Sequence, residues 1–266
     1  MWRIHTIAGD GRIIMGLEHH PGVGRGVELA RGLYTQLDPQ GRDELATARV
    51  RVHGGDSSWF NRITGTAQIG VGGKDSRGPQ GALVQAETTI HELSHKWFDK
   101  RAGFGGLLYG GSSGRLSEGL AQTMAGTALI LGGTPEEARY GWKVLDPRGQ
   151  SAPMAGAFGG EGRRIPLSTT MDDIAKAGFT MTDNGLVHVH SGIVQAAHLD
   201  IARAIGAADM ARITVDAANA GLQPTTGITR WAGLTLTSAE RMFGAGSEAH
   251  GAVRAAWTAA KVALPG

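Results

Sequence analysis

At 266 residues the chain can bury a sizeable core, as one large domain or as two lobes. Its formal charge of +2 is too small to imply nucleic acid, and no basic cluster with interleaved aromatics is present. Hydrophobic residues at 41% fit an ordinary folded protein, no apolar run is long enough to span a membrane, and the absence of cysteine leaves no disulfide staple. The start Met1-Trp-Arg-Ile-His5 lacks a charged residue leading into an apolar stretch, so no secretory signal is expected. That leaves a cytoplasmic protein, cargo of a dedicated secretion machine, or a processed fragment.

In chain order, residues 1 to about 85 mix turns (Gly9-Asp-Gly11, Pro21-Gly22, Asp38-Pro39, Gly54-Gly55) with short strands. Arg49–Val52 and Ala67–Val71 alternate with period two, and Val27–Leu37 reads as a helix. Ala86, Ile90, Leu93 and Trp97 recur at helical steps, predicting a helix to Arg101 that stops at Gly103. Helices are expected at 114–131, 135–145, 192–206, 208–221, 238–244 and 248–263, with Thr237 and Ser238 as an N-cap signal. Asp146–Thr182 reads as irregular. An extended segment around His188 would turn His190 to the opposite side.

The predicted helix at 86–101 carries His91-Glu-Leu-Ser-His95. Two histidines four apart face the same way and can grip one metal ion, with Glu92 placed to take a proton from an attacking water. A tetrahedral zinc site needs a third ligand and an open position. The nearest good candidate is Glu118, on a helix entered through the turn Gly110-Gly-Ser-Ser-Gly114, which could bring its carboxylate back to the two imidazoles. The bland alternative makes His91 and His95 surface histidines and Glu118 a solvated helix residue. His5, His19, His20, His53, His198 and His250 read as surface or core histidines, and Arg25, Arg163 and Arg164 as solvated loop charges. Ser112 in Gly110-Gly-Ser-Ser-Gly114, with Asp183 and His188 downstream, formally matches a serine-hydrolase elbow. The strand and parallel sheet that such an elbow needs are missing from the pattern.

Four blocks of residues give the chain a resemblance to the thermolysin-like neutral metalloproteases. They are His91–His95; Tyr109 to Glu118; Asp183-Asn-Gly-Leu-Val-His188 and on to Ile193; and, more weakly, Asn61 to Gln68. The resemblance runs almost unbroken from His91 to the C-terminus and fades before Ala48. It implies an α+β, two-lobed zincin with a shortened N-terminal β-containing lobe (1–85). The zinc helix and a mainly helical C-terminal lobe (86–266) would complete one catalytic unit. The shorter first lobe predicts a more open cleft.

By the same resemblance the protein would be a zinc endopeptidase acting on peptide or protein substrates; charge and hydropathy, as above, argue against a nucleic-acid or membrane partner. His91, His95 and Glu118 would be the zinc ligands and Glu92 the general base. Tyr109 and His188 would stabilise the oxyanion, Asp183 would orient His188, and the Asn61 side chain and Arg62 backbone would hold the substrate chain. Three departures stand out. Gln122 replaces an aspartate that supports the first zinc histidine, which predicts weaker zinc binding. The family's arginine at the transition state has Lys143 as its best counterpart, and a lysine lacks the bidentate contact. Calcium is not expected, since Glu87 is kept but Leu129 stands where another carboxylate is needed. The competing function is a non-catalytic descendant that keeps the fold to bind a partner. Family members are typically secreted precursors with an inhibitory propeptide, and neither segment is evident in this sequence.

Overall fold

A computed structural model describes residues 4–7, 13–14, 19–38, 45, 48–78, 80–103, 106–153, 164–177 and 183–264. By contact, the chain groups into two compact units. One is Met1–Lys100 with Met124–Trp142, the other Arg101–Thr123 with Lys143–Gly266.

The first unit holds a five-stranded sheet of β1 (Ile4–Ile7), β2 (Ile13–Ile14), β3 (Arg49–His53), β4 (Trp59–Asn61) and β5 (Thr66–Gly70), in the order β2-β1-β3-β5-β4. β1, β3 and β5 run parallel, and the outer strands β2 and β4 are antiparallel to their neighbours. Alternation in β3 buries Val50 and Val52 and exposes Arg49 and Arg51, whereas the interior strand β5 is buried throughout. Helix α1 (Pro21–Leu37) lies against the long helix α3 (Gly81–Ala102), which follows the short α2 (Lys74–Arg77). Tyr34 stacks on Trp97 at 5.0 Å.

Pro21-Gly22, expected as a turn, instead opens α1. A Cβ on Gly22 would lie 2.5 Å from the Ala82 carbonyl oxygen, and one on Gly26 2.6 Å from that of Ala86. Here glycine is needed for close backbone approach to α3, which outweighs its poor helix propensity. Arg25 is likewise no solvated loop charge. Its Nε and Nη2 each donate to the Glu137 carboxylate at 2.9 Å, and Nη2 also donates to the Gly132 carbonyl at 3.1 Å. Glu137 opens α5 (Pro135–Leu145), and Arg25 holds its carboxyl down at about 2.

In the second unit, α4 (Gly111–Gly132) contributes its N-terminal part; its helix starts inside the glycine-serine stretch expected as a turn. The region expected to be irregular contains β6 (Ser151–Pro153), β7 (Arg164–Pro166) and α6 (Met171–Ala177). Positions 154–163 and 178–182 fall outside the described residues. Then come α7 (Asp183–His190), α8 (Gly192–Ile205), α9 (Ala207–Gly221), α10 (Ile228–Phe243) and α11 (Glu248–Ala259).

α8 packs on α9 and α11, and α10 on both α9 and α11. Between them His198 is completely buried beside Trp231 and Trp257, its Nδ1 bonded to the Val194 carbonyl. The helix expected at 238–244 begins at Ile228, because Ile228, Trp231, Leu236 and Ala239 continue one buried stripe. Ser238 is therefore a mid-helix residue, and Ser247 is the cap, accepting the His250 N–H at the start of α11. No described helix is long and apolar enough to cross a membrane.

Candidate metal centre

The apolar positions of α3 fix its rotation. Ile90, Leu93 and Trp97 are fully buried, which sets His91 and His95 together on another face. Their Nε2 atoms are 3.1 Å apart and their rings meet edge-on at 81°. Glu92, on the same turn, is 6% exposed.

Glu118 belongs to α4. The next residue, Gly119, lets α4 approach α8 closely, since a Cβ there would lie 2.5 Å from that of Val194. Glu118 is thereby buried, at 3% exposure. Among the described residues, His91, His95 and Glu118 are the one group of three metal-ligating side chains, with ligand atoms all within 4.8 Å of one another. Zinc bonds of 2.0–2.1 Å in a tetrahedron set ligand atoms roughly 3.4 Å apart, close to the observed imidazole spacing. Two imidazoles and one carboxylate leave the fourth position for water, the composition of catalytic zinc sites. The donor set fits zinc.

His188 stands next to Glu118, with its Nε2 3.5 Å from Oε2 of that carboxylate and 3.3 Å from the Tyr109 hydroxyl. Its Nδ1 is 2.6 Å from Asp183 Oδ1, and its backbone N–H donates to Asp183 Oδ2 at 3.0 Å. One carboxylate thus fixes both the ring and the main chain of His188. This segment is not extended. Asp183, Asn184, Gly185 and Leu186 have φ of 51°, 51°, 89° and 59°, a left-handed turn leading into a right-handed helix. Successive helical positions still separate the two histidines: His188 is half exposed, whereas His190 is buried and its Nδ1 is 2.7 Å from Ser168 Oγ. Burial, and then the Arg115 charge, push His190 down to about 4.

Arg115, one turn before Glu118 on α4, escaped the sequence reading. Its Nη2 donates to the Gly185 carbonyl at 3.0 Å. The only signal was its helical spacing to Glu118, which many arginines share. Other candidates are occupied locally. Asn61 Oδ1 accepts the Thr64 N–H at 3.0 Å, and Arg62 Nε pairs with Asp99 at 2.8 Å. β4, which ends at Asn61, is an outer strand. Lys143 is exposed near the end of α5, where its carbonyl accepts from Gln150 at 2.6 Å. Ser112 lies in the first turn of α4 rather than at a strand-to-helix elbow, and its hydroxyl accepts the Ile228 N–H at 3.0 Å. It is engaged at the start of α10.

A helical scaffold with a small sheet and a His-His-Glu cluster defines a candidate metallohydrolase of the zincin type. Residues 105–262 match the family described as thermolysin metallopeptidase, alpha-helical domain. The chain belongs to the thermolysin metallopeptidase family, whose members are zinc enzymes. Its fold is similar to that of the precursor of protealysin, a metalloproteinase from Serratia proteamaculans. The TM-score is 0.73 at 19% identity, covering 99% of this chain and 88% of that one. No curated protein sequence matches.

Proposed function

We propose that this chain is a zinc-dependent endopeptidase with Glu92 as general base. The reading rests above all on His91, His95 and Glu118 gathering within 4.8 Å while the Asp183–His188 pair stands against the same Glu118. His91, His95 and Glu118 would hold the ion. Bound zinc would supply Lewis acidity, drawing the pKa of water towards neutrality and polarising the scissile carbonyl.

The chain's own residues do the remainder. Glu92, buried beside the ligands, accepts the proton of the attacking water and passes it to the leaving amine. Asp183 accepts a hydrogen bond from the Nδ1–H of His188, which turns Nε2 towards Tyr109. With Nδ1 so held, Nε2 would donate whenever the ring carries its second proton, and together with the Tyr109 hydroxyl it would stabilise the oxyanion. Asn61 and the Arg62 backbone, at the end of an outer strand, would hold a substrate chain by strand addition. Lys143 would offer a single charge to the substrate. The lobes 1–85 and 86–266 act as one catalytic unit in this reading.

The test is hydrolysis of a mixed quenched-peptide library at neutral pH, with zinc supplied and a chelator control. Chelator-sensitive cleavage is expected. Zinc bound with no cleavage of any peptide would reject the activity and favour a binding role.

A further inference from the structure

Arg115 has an unusual environment for an arginine. It is partly buried on α4, and its Nε is shielded from solvent with no hydrogen-bond partner among the described residues. Its Nη2 donates to the carbonyl of Gly185. Burying a guanidinium is costly, and among the described residues no carboxylate offsets that cost for Arg115, so the group is kept where its contact to Gly185 matters.

That contact lands in the middle of the left-handed turn. Gly185 is flanked by Asn184 and Leu186, and all three have positive φ, as does Asp183. Side chains other than glycine disfavour this conformation, so the turn persists only where its surroundings over-determine it. On one side Leu186 is buried, packed with Val189 and Ile165. On the other, the Arg115 guanidinium makes a charge-assisted bond to the carbonyl at the turn's centre. The same turn ends in the Asp183 clasp on the ring and backbone of His188. Arg115 also sits one helical turn from Glu118, so a single helix carries both the carboxylate facing His188 and the brace on the His188 turn.

We infer that Arg115 is a positioning residue: through the Gly185 carbonyl it locks the left-handed turn that aims Asp183 and His188. The inference rests on the proposed peptidase reading for its kinetic consequence, but not for its structural one.

The experiment compares Arg115→Met, Arg115→Lys, Asp183→Asn and the Arg115→Met/Asp183→Asn double variant with the natural chain, all zinc-loaded. Arg115→Met is expected to lower kcat by roughly tenfold to 100-fold, as small misplacements of a reacting group do. KM and zinc content should stay within about twofold, and Arg115→Lys should recover part of the loss. In the Asp183→Asn background the same change should cost little, because the aim is already lost. Equal losses in both backgrounds would mark a merely structural arginine and overturn the inference. So would an Arg115→Met kcat within twofold of the natural chain.

Amide hydrogen exchange supplies a readout independent of hydrolysis. The His188 amide and its neighbours in 183–188 should exchange at least tenfold faster in Arg115→Met and more slowly again in Arg115→Lys, with α8 to α11 unchanged. Unchanged exchange at 183–188, or faster exchange spread evenly over the second unit, would overturn the inference. If the natural chain cleaves nothing, the peptidase reading fails while exchange still decides the role of Arg115.

Discussion

His91 and His95 sit on an uninterrupted right-handed helix, whereas His188 follows four consecutive residues with positive φ. The first pair is set by the 3.6-residue period alone, with Ile90, Leu93 and Trp97 anchoring the opposite positions. The second depends on a backbone form that costs about 1–2 kcal/mol per ordinary L-residue, less at Asp and Asn. It is held by the Asp183 clasp, the Arg115 brace and the buried Leu186. A ligand that grips a metal is oriented further by the bonds it makes. A group that only donates hydrogen bonds must be aimed by the protein, and the strained turn does the aiming.

Removing one member from each region probes this difference. His95→Ala should release zinc and abolish hydrolysis together, a larger loss than the roughly 100-fold that outer partners cost. Metal analysis of the purified variant beside its peptide turnover measures both, and retained stoichiometric zinc would argue against His95 as a ligand. Asp183→Asn should leave zinc bound yet lower kcat on the order of 100-fold, because a neutral amide no longer holds the His188 Nδ1–H and its ring charge as the carboxylate does. If zinc falls in step with kcat, the two regions are not separable in the way described.

Acid separates the two compact units by window and cause. Burial lowers His198 to about 4, so below its ordinary 6.5 the unfolded chain takes up the proton first. The contribution of His198 to the stability of the second unit is full above pH 6.5 and falls as pH drops towards 4, by about 2 kcal/mol at pH 5. His198→Phe should flatten that limb in a chemical-denaturation series. In the first unit the Arg25 hydrogen bonds lower Glu137, whose contribution is present above its ordinary 4.5 and lost as pH falls towards 2. Because Arg25 is 35% exposed, solvent screening keeps the pair to about 1 kcal/mol at pH 7. Arg25→Met should remove that contribution and flatten the lower limb. Unaltered acid limbs in both variants would sever these groups from acid stability.

What the sequence made legible follows the same division. The α3 helix, its histidine pair and the helices from α8 onward are written in periodicity, which the residues themselves carry. Glu118 could be nominated because a glycine-rich stretch and a second amphipathic helix follow α3 at short range. The left-handed turn was hidden: nothing in Leu186, which is not a glycine, announces positive φ. Arg115 was hidden for a different reason, since its partner is a backbone carbonyl 70 residues away. Pro21-Gly22 pointed to a turn until helix-to-helix contact gave Gly22 and Gly26 a reason to lie inside α1. Arg25 looked solvated because Glu137 lies 112 residues further on.

The most direct test of the account is Glu92→Gln in the zinc-loaded protein, assayed against peptides that the natural chain cleaves. The account predicts unchanged zinc content with turnover reduced by roughly 10²–10⁴-fold, the usual contribution of a positioned general base. Turnover within a few-fold of the natural chain, with zinc still bound, would contradict it.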